Sequence, residues 1–295
     1  MRVAAVVVTY NRKACLLRCI AALRSQPGAV TDILVVDNAS TDGTAEMLAP
    51  LMEQGVILYR NTGENLGGAG GFNVGMRLAV EAGYDCLWVM DDDCIPAPDA
   101  LAAFLRVDRQ LDGNYGFLSG IAYWRDGTLC QMNVQKTDLW HKLTDVTAPL
   151  TPVVMATFVS AFIPARRVRE VGLPIREFFI WSDDLEYTRR LSRRYPCYAV
   201  GDSRVLHDMR HNHKVNIATD SLDRLSRYAY LYRNEVYVYR REGLAGWAYL
   251  LARVGWHLFK IWLRSPVKGK RMKVILSSFA AGLRFHPRVE RVERG

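Results

Sequence analysis

Cys86-Leu87-Trp88-Val89-Met90, followed at once by Asp91-Asp92-Asp93, is the most informative stretch of this sequence. Five apolar residues that include β-branched and aromatic side chains predict a buried strand. Three adjacent carboxylates repel one another, so the cluster would bind protons unless a cation compensates its charge. A hard divalent ion, held by carboxylates and by the phosphate oxygens of a substrate, would do so. The alternative is an acidic loop that caps a helix beginning near Pro98.

Apolar runs alternate with helical patterns along the first two hundred residues, which predicts an α/β architecture. Strands are predicted at 3–8, 33–36, 56–59, 86–90, 117–122 and 153–163, and helices at 13–24, 44–52, 71–82 and 98–107. Strands joined by crossover helices predict a mostly parallel central sheet with flanking helices. Polar motifs follow four of the strands, at 9–12, 37–44, 61–71 and 91–93. Because parallel strands end at one edge, these motifs would converge on a single site.

Two of these motifs suit a nucleotide. Asp37 ends a strand, where its carboxylate could accept hydrogen bonds from a base or a ribose, whereas a turn with a helix cap explains residues 40–43. The glycine-rich segment 65–73 could bring backbone amides to a phosphate. Its spacing is not that of a P-loop, and no GxGxxG follows the first strand, which argues against an ATPase and a dehydrogenase.

A second acidic cluster occupies residues 181–186, Trp-Ser-Asp-Asp-Leu-Glu. If a helix begins near Ser182, its dipole would lower the pKa of the first-turn carboxylates and keep them charged. A charged carboxylate there suits a general base that removes a proton from an acceptor hydroxyl, and Trp181 offers an apolar face to a sugar ring. Capping of the helix is the alternative explanation.

His207 ends another short apolar run and could bind a metal ion. Together with His211 and His213 it also fits a zinc pattern, but nearby cysteines are absent and the aspartates favour a harder ion. The six cysteines show no CxxC pair, which fits a reducing cytoplasm.

Basic charge is concentrated in the last third of the chain. The net charge is +9, and residues 204–295 carry 19 Lys/Arg against 7 Asp/Glu. Within 244–263, Arg253, His257 and Lys260 would share one helical stripe opposite an aromatic-rich face, and a basic cluster follows at 268–273. This pattern predicts a helix that lies on an anionic membrane surface rather than one that spans it. A helix packed on the catalytic domain with its charges solvated is the alternative, and the helical arrangement of the aromatics argues against nucleic-acid binding.

Four motifs together resemble an inverting glycosyltransferase of family 2. They are Tyr10-Asn11, residues 35–44, the aspartate triplet 91–93 and Asp183-Asp184-Leu185-Glu186, and the resemblance spans about 1–210. It implies a GT-A fold of Rossmann-like α/β type, a nucleotide diphosphate sugar donor, and Mn²⁺ or Mg²⁺ as cofactor. The domains expected are a catalytic domain at 1–210, with a nucleotide-sugar half at about 1–115 and an acceptor half at about 116–210, and a basic amphipathic helical region at 211–295.

The resemblance also implies roles for individual residues. Asp184 would be the catalytic base, and Asp93 and His207 the metal ligands. The donor-binding residues would be Thr9, Asn11, Asp37, Arg60, Asn65, Gly67, Gly68, Asp91 and Asp92. The acceptor-binding residues would be Trp181, Asp183 and Glu186.

The glycine-rich segment combined with an Asp-Asp-Asp triplet is similar to bacterial galactofuranosyltransferases. This implies transfer of galactofuranose from UDP-galactofuranose to a hydroxyl of a glycan or lipid-linked glycan, in the cytoplasm and peripherally at the inner face of the cell membrane. A rhamnosyltransferase that uses dTDP-rhamnose is the close alternative. A nucleotidyltransferase is more remote, because the glycine-rich basic loop expected after its first strand is replaced by residues 9–12.

Overall fold

The structure is a computed structural model and describes residues 1–27, 32–212 and 216–292. His213, part of the zinc pattern, lies outside these residues. The strands are β1 Val3–Thr9, β2 Asp32–Asp37, β3 Ile57–Asn61, β4 Cys86–Asp91, β5 Cys94–Pro96, β6 Leu118–Tyr123, β7 Thr151–Pro152, β8 Ala161–Pro164 and β9 Tyr198–His207. The helices are α1 Lys13–Arg24, α2 Thr44–Glu53, α3 Gly67–Glu81, α4 Ala100–Gln110, α5 Ala165–Val171, α6 Asp183–Ser192, α7 Leu225–Arg240, α8 Gly243–Arg264 and α9 Lys268–Arg284.

One sheet runs through the catalytic part of the chain, in the order β3-β2-β1-β4-β8-β6-β9-β5, with β7 paired to β9. The strands from β3 to β4 are parallel, as the crossover pattern predicted. Beyond β4 the pairing is mixed: β8 is antiparallel to β4 and β6, while β6 and β9 are parallel. The segment between β6 and β8 contains no helix, so the chain returns antiparallel instead of crossing over.

Strand β1 is buried on both faces, which explains its uninterrupted apolar sequence. Ala4, Val6 and Val8 pack in a core with α3 and α5, while the alternate residues of β1 pack in a second core with α1, α2 and α4. Stacking helices on both sides of the sheet leaves only its edges and strand ends free for chemistry.

Two sequence predictions about local structure are corrected. The predicted strand 153–163 is wrong over most of its length, because only 161–164 form β8; Val153, Met155 and Phe158 are apolar because they are buried, without being strand. The glycine-rich segment is not a loop, since α3 already begins at Gly67. Its glycines let the helix approach the sheet: a Cβ on Gly71 would lie 2.5 Å from Val8 Cγ1.

The three C-terminal helices form a bundle with its own aromatic core, built on α7. After α9, residues 285–292 return to the catalytic part of the chain; we call this segment the C-terminal strap. The amide of Leu173 donates to the carbonyl of Glu290 at 2.8 Å, and Arg77 pairs with the Glu290 carboxylate. Val292 is buried in the core that contains α3 and α5. The strap therefore fastens the bundle to the catalytic part, and the predicted boundary at residue 210 stays a prediction.

Two of the three groups in the predicted basic stripe of α8 turn toward α7, while Lys260 lies over the exposed ring of Trp256. Arg253 Nε pairs with the buried carboxylate of Glu235 at 3.0 Å, and His257 Nδ1 lies 2.8 Å from the hydroxyl of Tyr232. The expectation that these basic groups face away from the protein is wrong, because α7 carries polar groups that need partners. The opposite, exposed side, which we call the outer face of α8, consists of Leu244, Leu251, Trp256, Phe259, Trp262 and Leu263. Within the described residues, no helix is long and apolar enough to cross a bilayer.

Candidate active site

A cleft of about 550 Å³ opens at the carboxyl ends of β1 and β4. Eleven of the predicted site residues line it: Thr9, Asn65, Gly67, Gly68, Asp91, Asp92, Asp93, Trp181, Asp183, Asp184 and His207. The two acidic clusters, about ninety residues apart in the sequence, thus share one cavity. Convergence at one edge of the sheet follows from the strand directions.

Four predicted residues do not line the cleft. Asp37 is fully buried and accepts hydrogen bonds from the Ser40 amide at 2.9 Å and the Tyr59 hydroxyl at 2.7 Å. Asn11 receives the amide of Thr41 at 2.7 Å, so both side chains shape the loops beside the cleft. Arg60 is exposed on β3.

Glu186 is also held away from the cleft. It is buried and paired with Arg190 at 2.7 Å, while the same guanidinium binds the carbonyl oxygens of Val171 and Leu173. The structure therefore gives Glu186 a contact with α5 and the segment after it, and does not bring it to the acceptor side of the cavity.

The aspartate triplet is bound by groups from the segment after β1. Thr9 Oγ1 donates to Asp92 Oδ2 at 2.7 Å. Arg12 places one guanidinium nitrogen 3.2 Å from Asp92 Oδ1 and another 2.8 Å from Asp93 Oδ2. Arg12 was not among the predicted site residues, although a cation directly after the first strand lies at the same edge of the sheet as the triplet.

Asp93 and His207 face each other because β5 pairs with β9, with Cys94 opposite His207. Asn133 Nδ2 donates to Thr157 Oγ1 at 3.0 Å, so its Oδ1 accepts the Nδ1–H of His207 at 3.0 Å. When the ring is neutral, His207 Nε2 carries a lone pair; it lies 3.2 Å from Asp93 Oδ1. That carboxylate oxygen is buried without a hydrogen-bond donor among the described residues. Two atoms that both accept hydrogen bonds and lie this close together could coordinate one cation between them.

The donor set at this point fits Mn²⁺ or Mg²⁺ better than a soft ion. The ligand atoms of Asp93, Cys94 and His207 lie within 4.8 Å of one another. Burial raises the pKa of the Cys94 thiol well above its usual value, so the sulfur stays protonated and the available ligands are oxygen and nitrogen.

The three aspartates differ in pKa. Burial and the charge of Asp93 raise the pKa of Asp91 well above its usual range. Burial also raises the pKa of Asp92, to about 6, against the opposing charge of Arg12. Burial disfavours the charge of Asp93 too, but a protonated His207 ring, which can donate to Asp93 when no metal ion is bound, and the Arg12 guanidinium outweigh it and lower the pKa of Asp93 to about 2. Asp93 is thus the member of the triplet that stays ionised to receive a metal ion.

The second acidic cluster begins α6, as predicted, but its electrostatics are opposite to the expectation. Burial raises the pKa of Asp184, and burial together with the charge of Asp184 raises that of Asp183 further. Desolvation by burial thus outweighs the helix dipole here. A carboxylate with a raised pKa is a stronger base, which suits proton abstraction from a hydroxyl.

The segment before α6 is strained. Phe179, Trp181 and Ser182 all have positive φ, at 62°, 65° and 68°. The amide of Ile180 donates to the carbonyl of Phe178 at 2.7 Å, which closes a γ-turn centred on Phe179. Strain of this kind costs about 1–3 kcal/mol per residue and persists only where surrounding contacts enforce it. Nothing in the sequence signals it.

The strained segment also lies against the start of α3. The amide of Ala69 donates to the carbonyl oxygen of Phe179 at 3.2 Å. A Cβ on Gly67 would lie 2.1 Å from that oxygen, so only glycine fits there. The glycine-rich segment therefore lies directly against the segment before α6, and the two form adjoining walls of the cleft.

Comparison with known proteins supports the resemblance. The family model described as Glycosyl transferase family 2 matches residues 4–144, just under half of the chain. The matched residues include the first three of the four motifs. This confirms the resemblance drawn from the four motifs, and it identifies the protein as a transferase.

Relatives of this glycosyltransferase support the same assignment. Galactofuranosyltransferase GlfT1 of Mycolicibacterium smegmatis is 26% identical over 300 residues, which cover 91% of this chain and 96% of the relative. GalNAc-T7, solved with UDP, GalNAc and Mn²⁺, matches with a TM-score of 0.58 at 16% identity over 78% of this chain and 48% of its own. TarS 1–349 of S. aureus, solved with UDP-GlcNAc, gives 0.57 at 12% identity over 96% and 81%. The two structures confirm the GT-A type α/β fold.

Proposed function

We propose that the protein is a metal-dependent, inverting glycosyltransferase that moves galactofuranose from UDP-galactofuranose to a hydroxyl of a glycan or lipid-linked glycan. The observation that carries the proposal is the shared cleft, in which the Asp93–His207 pair lies on one side and Asp184 on another. The name of the relative GlfT1 supports the choice of sugar, and the glycine-rich segment beside the triplet supports it independently. A rhamnosyltransferase that uses dTDP-rhamnose is the second candidate.

On the donor side, Asp93 and His207 would hold Mn²⁺ or Mg²⁺. Bound there, the ion would supply positive charge to the diphosphate as it departs. Asp91, Asp92 and the amides at the start of α3 would orient the nucleotide sugar. Thr9 keeps Asp92 in place through its hydroxyl.

On the acceptor side, Asp184 would take the proton of the attacking hydroxyl while the hydroxyl oxygen bonds to the anomeric carbon. The bond from that carbon to the diphosphate oxygen breaks in the same step, and UDP leaves with the bonding electrons. A single displacement of this kind inverts the anomeric configuration. Trp181 would pack against the acceptor ring at the mouth of the cleft.

The first experiment measures thermal shift and donor hydrolysis with a panel of nucleotide sugars, with and without Mn²⁺. Metal-dependent stabilisation by UDP-galactofuranose supports the proposal. Stabilisation by dTDP-rhamnose alone replaces it with the second candidate, and no response to any sugar nucleotide contradicts it.

Two variants then separate the two sides of the cleft. Asp184→Asn keeps the shape of the side chain but cannot accept the proton, so turnover should fall by about 10²–10⁴-fold while donor binding persists. Asp93→Ala should weaken metal-dependent donor binding instead. An active Asp184→Asn enzyme, or a product that retains the anomeric configuration of the donor, would rule out the mechanism.

We also propose that the outer face of α8 rests on an anionic membrane surface, peripherally and on the cytoplasmic side. Trp256, Phe259 and Trp262 are 54%, 48% and 59% exposed and stack on one another. Lys260 and Lys268 lie over the rings of this ladder, at 5.1 Å from Trp256 and 5.9 Å from Trp262. Exposed aromatic rings can insert at the boundary between acyl chains and headgroups, and the neighbouring lysines can pair with the anionic headgroups.

Flotation with liposomes tests this proposal. The protein should bind vesicles that contain anionic lipid at low salt, and the double variant Phe259→Ser/Trp262→Ser should not. Leu17→Ser/Leu58→Ser, which changes two exposed apolar residues on α1 and β3, is the matched control. Equal binding by all three proteins would show that the outer face of α8 is not the contact, and binding by none would exclude the membrane.

A further inference from the structure

Asn234, in the middle of α7, is fully buried and points its amide at the strained segment before α6. Its Nδ2 lies 3.0 Å from the carbonyl oxygen of Phe178, 3.2 Å from that of Ile180 and 2.9 Å from that of Trp181. One side chain thus binds three of four successive carbonyl groups. The γ-turn at Phe179 and the positive φ angles of Trp181 and Ser182 keep these carbonyl groups out of the regular hydrogen bonding of a strand or helix.

The amide is held in the orientation that this contact requires. Arg233 donates from Nε to Asn234 Oδ1 at 3.1 Å and from Nη2 at 2.9 Å, so the amide oxygen faces the guanidinium and the amide nitrogen faces the loop. The same Nη2 also binds the carbonyl of Glu177. Because each donor already has its acceptor, the side chain of Asn234 has one arrangement rather than several.

Aromatic contacts between α7 and the segment surround this polar contact. Phe179 stacks on Tyr230 with ring centroids 4.9 Å apart, and Trp181 meets Tyr228 edge-on at 5.2 Å. Phe178 meets a further ring of α7 at 5.5 Å. The Phe178 carbonyl also accepts the Ile180 amide, but for the carbonyls of Ile180 and Trp181 the donor is Asn234. Leaving these two without it would favour a relaxed loop.

We propose that Asn234 is a positioning residue for glycosyl transfer: by clamping the carbonyl groups of residues 178–181, it fixes Trp181 and the start of α6 against the donor side of the cleft. It touches no substrate and acts through the loop alone. Helix α7 would thereby take part in placing the acceptor. The sequence had indicated only a membrane surface or simple packing on the catalytic domain for the C-terminal region. The inference rests on the proposed function. Its structural part, that Asn234 holds the loop in place, can be tested without an assay of catalysis.

The experiment compares Asn234→Ala and Asn234→Ser with the wild-type protein. Gln26→Ala is the matched control, because Gln26 is also a buried amide that bonds three backbone groups, on the far side of α1. Hydrogen exchange of the peptide that spans 178–186 should accelerate at least tenfold in Asn234→Ala and less in Asn234→Ser. It should stay unchanged in Gln26→Ala.

Kinetics supply the second readout. Displacement of catalytic groups by about 1 Å costs on the order of 10²-fold in rate, so transfer to acceptor should lose about that factor in kcat in Asn234→Ala. Affinity for UDP should stay within about twofold of wild type, because Asn234 is not among the cleft-lining residues. Partial recovery in Asn234→Ser would follow from the one hydroxyl donor that it keeps.

Several outcomes would overturn the inference. Unchanged exchange of 178–186 in both variants would show that the amide does not hold the loop. Equal loss of UDP binding and of transfer, or an equal kinetic loss in Gln26→Ala, would show a general effect on stability. If Asn234→Ala does not fold, Asn234→Ser decides in the same way. If the wild-type protein transfers no sugar, the proposed function is wrong. The hydrogen-exchange result would still show whether Asn234 holds residues 178–186 in place.

Discussion

Removing the guanidinium of Arg12 should destabilise the metal-free protein and spare the metal-bound one. Arg12 bridges Asp92 and Asp93, whose side chains are nearly buried at 4% and 5% exposure. Breaking a buried ion pair from one side costs about 3–5 kcal/mol, because the remaining charge has no compensation. The guanidinium itself is 43% exposed, so water screens part of this energy, and we expect a loss of about 1–3 kcal/mol for Arg12→Gln.

The assay is urea unfolding of wild type and Arg12→Gln, each in EDTA and in saturating Mn²⁺. A bound divalent ion would replace the charge that the variant lacks, so the difference in unfolding free energy should shrink when Mn²⁺ is present. By the same argument, Mn²⁺ should bind Arg12→Gln more tightly than wild type, because it no longer competes with a guanidinium for Asp93.

Arg106→Gln is the matched control. Arg106 also pairs with an aspartate, Asp202, at 2.9 Å, but both side chains are more than half exposed, and such pairs contribute about 0–1 kcal/mol. A deficit in Arg12→Gln that Mn²⁺ leaves unchanged would refute the reasoning, since the acidic cluster would then not be the place where the ion binds.

Three further predictions concern the same cleft. Burial raises the pKa of Asp184 to about 6, and a base must be ionised, so kcat should rise with pH through about 6 and level off above it; a flat profile across that value would contradict this assignment. Gly67→Ala should lower the free energy of unfolding by about 1–3 kcal/mol, because its Cβ would lie 2.1 Å from a backbone oxygen, whereas Gly68→Ala meets nothing within 4 Å and should leave thermal unfolding nearly unchanged. Asn133→Ala should weaken Mn²⁺ binding about 10–100-fold in a titration by loosening His207, and unchanged affinity would exclude His207 as a ligand.

The strands and helices of the first half could be predicted because each has one strong local signal. β1 and β4 are continuous apolar runs buried on both faces, and α1 shows helical periodicity, so pattern and environment agree. The prediction at 153–163 was wrong for the converse reason: burial of an irregular segment produces the same apolar composition as a strand.

The reactive side chains of the site could be predicted from the sequence, but their pKa shifts and ion pairs could not. Strand ends predicted that the aspartate triplet would lie beside the motif at 9–12, and the family resemblance joined His207 to Asp93 as a metal ligand. The pKa of Asp183, the pairing of Arg12 and the clamp from Asn234 depend on groups that are distant in the chain and meet only when the fold closes. No local pattern records such contacts, because each partner looks ordinary in its own segment.

The C-terminal strap has a consequence for how the protein is made. Val292 completes the core beside α3 and α5, and the carbonyl of Glu290 receives the amide of Leu173. During translation, therefore, the last strand of the sheet, which ends at His207, emerges from the ribosome about eighty residues before the segment that completes this core. Until residue 292 has been released, the nascent chain exposes an unfinished apolar surface, and it is in that interval that a chaperone would have most to bind.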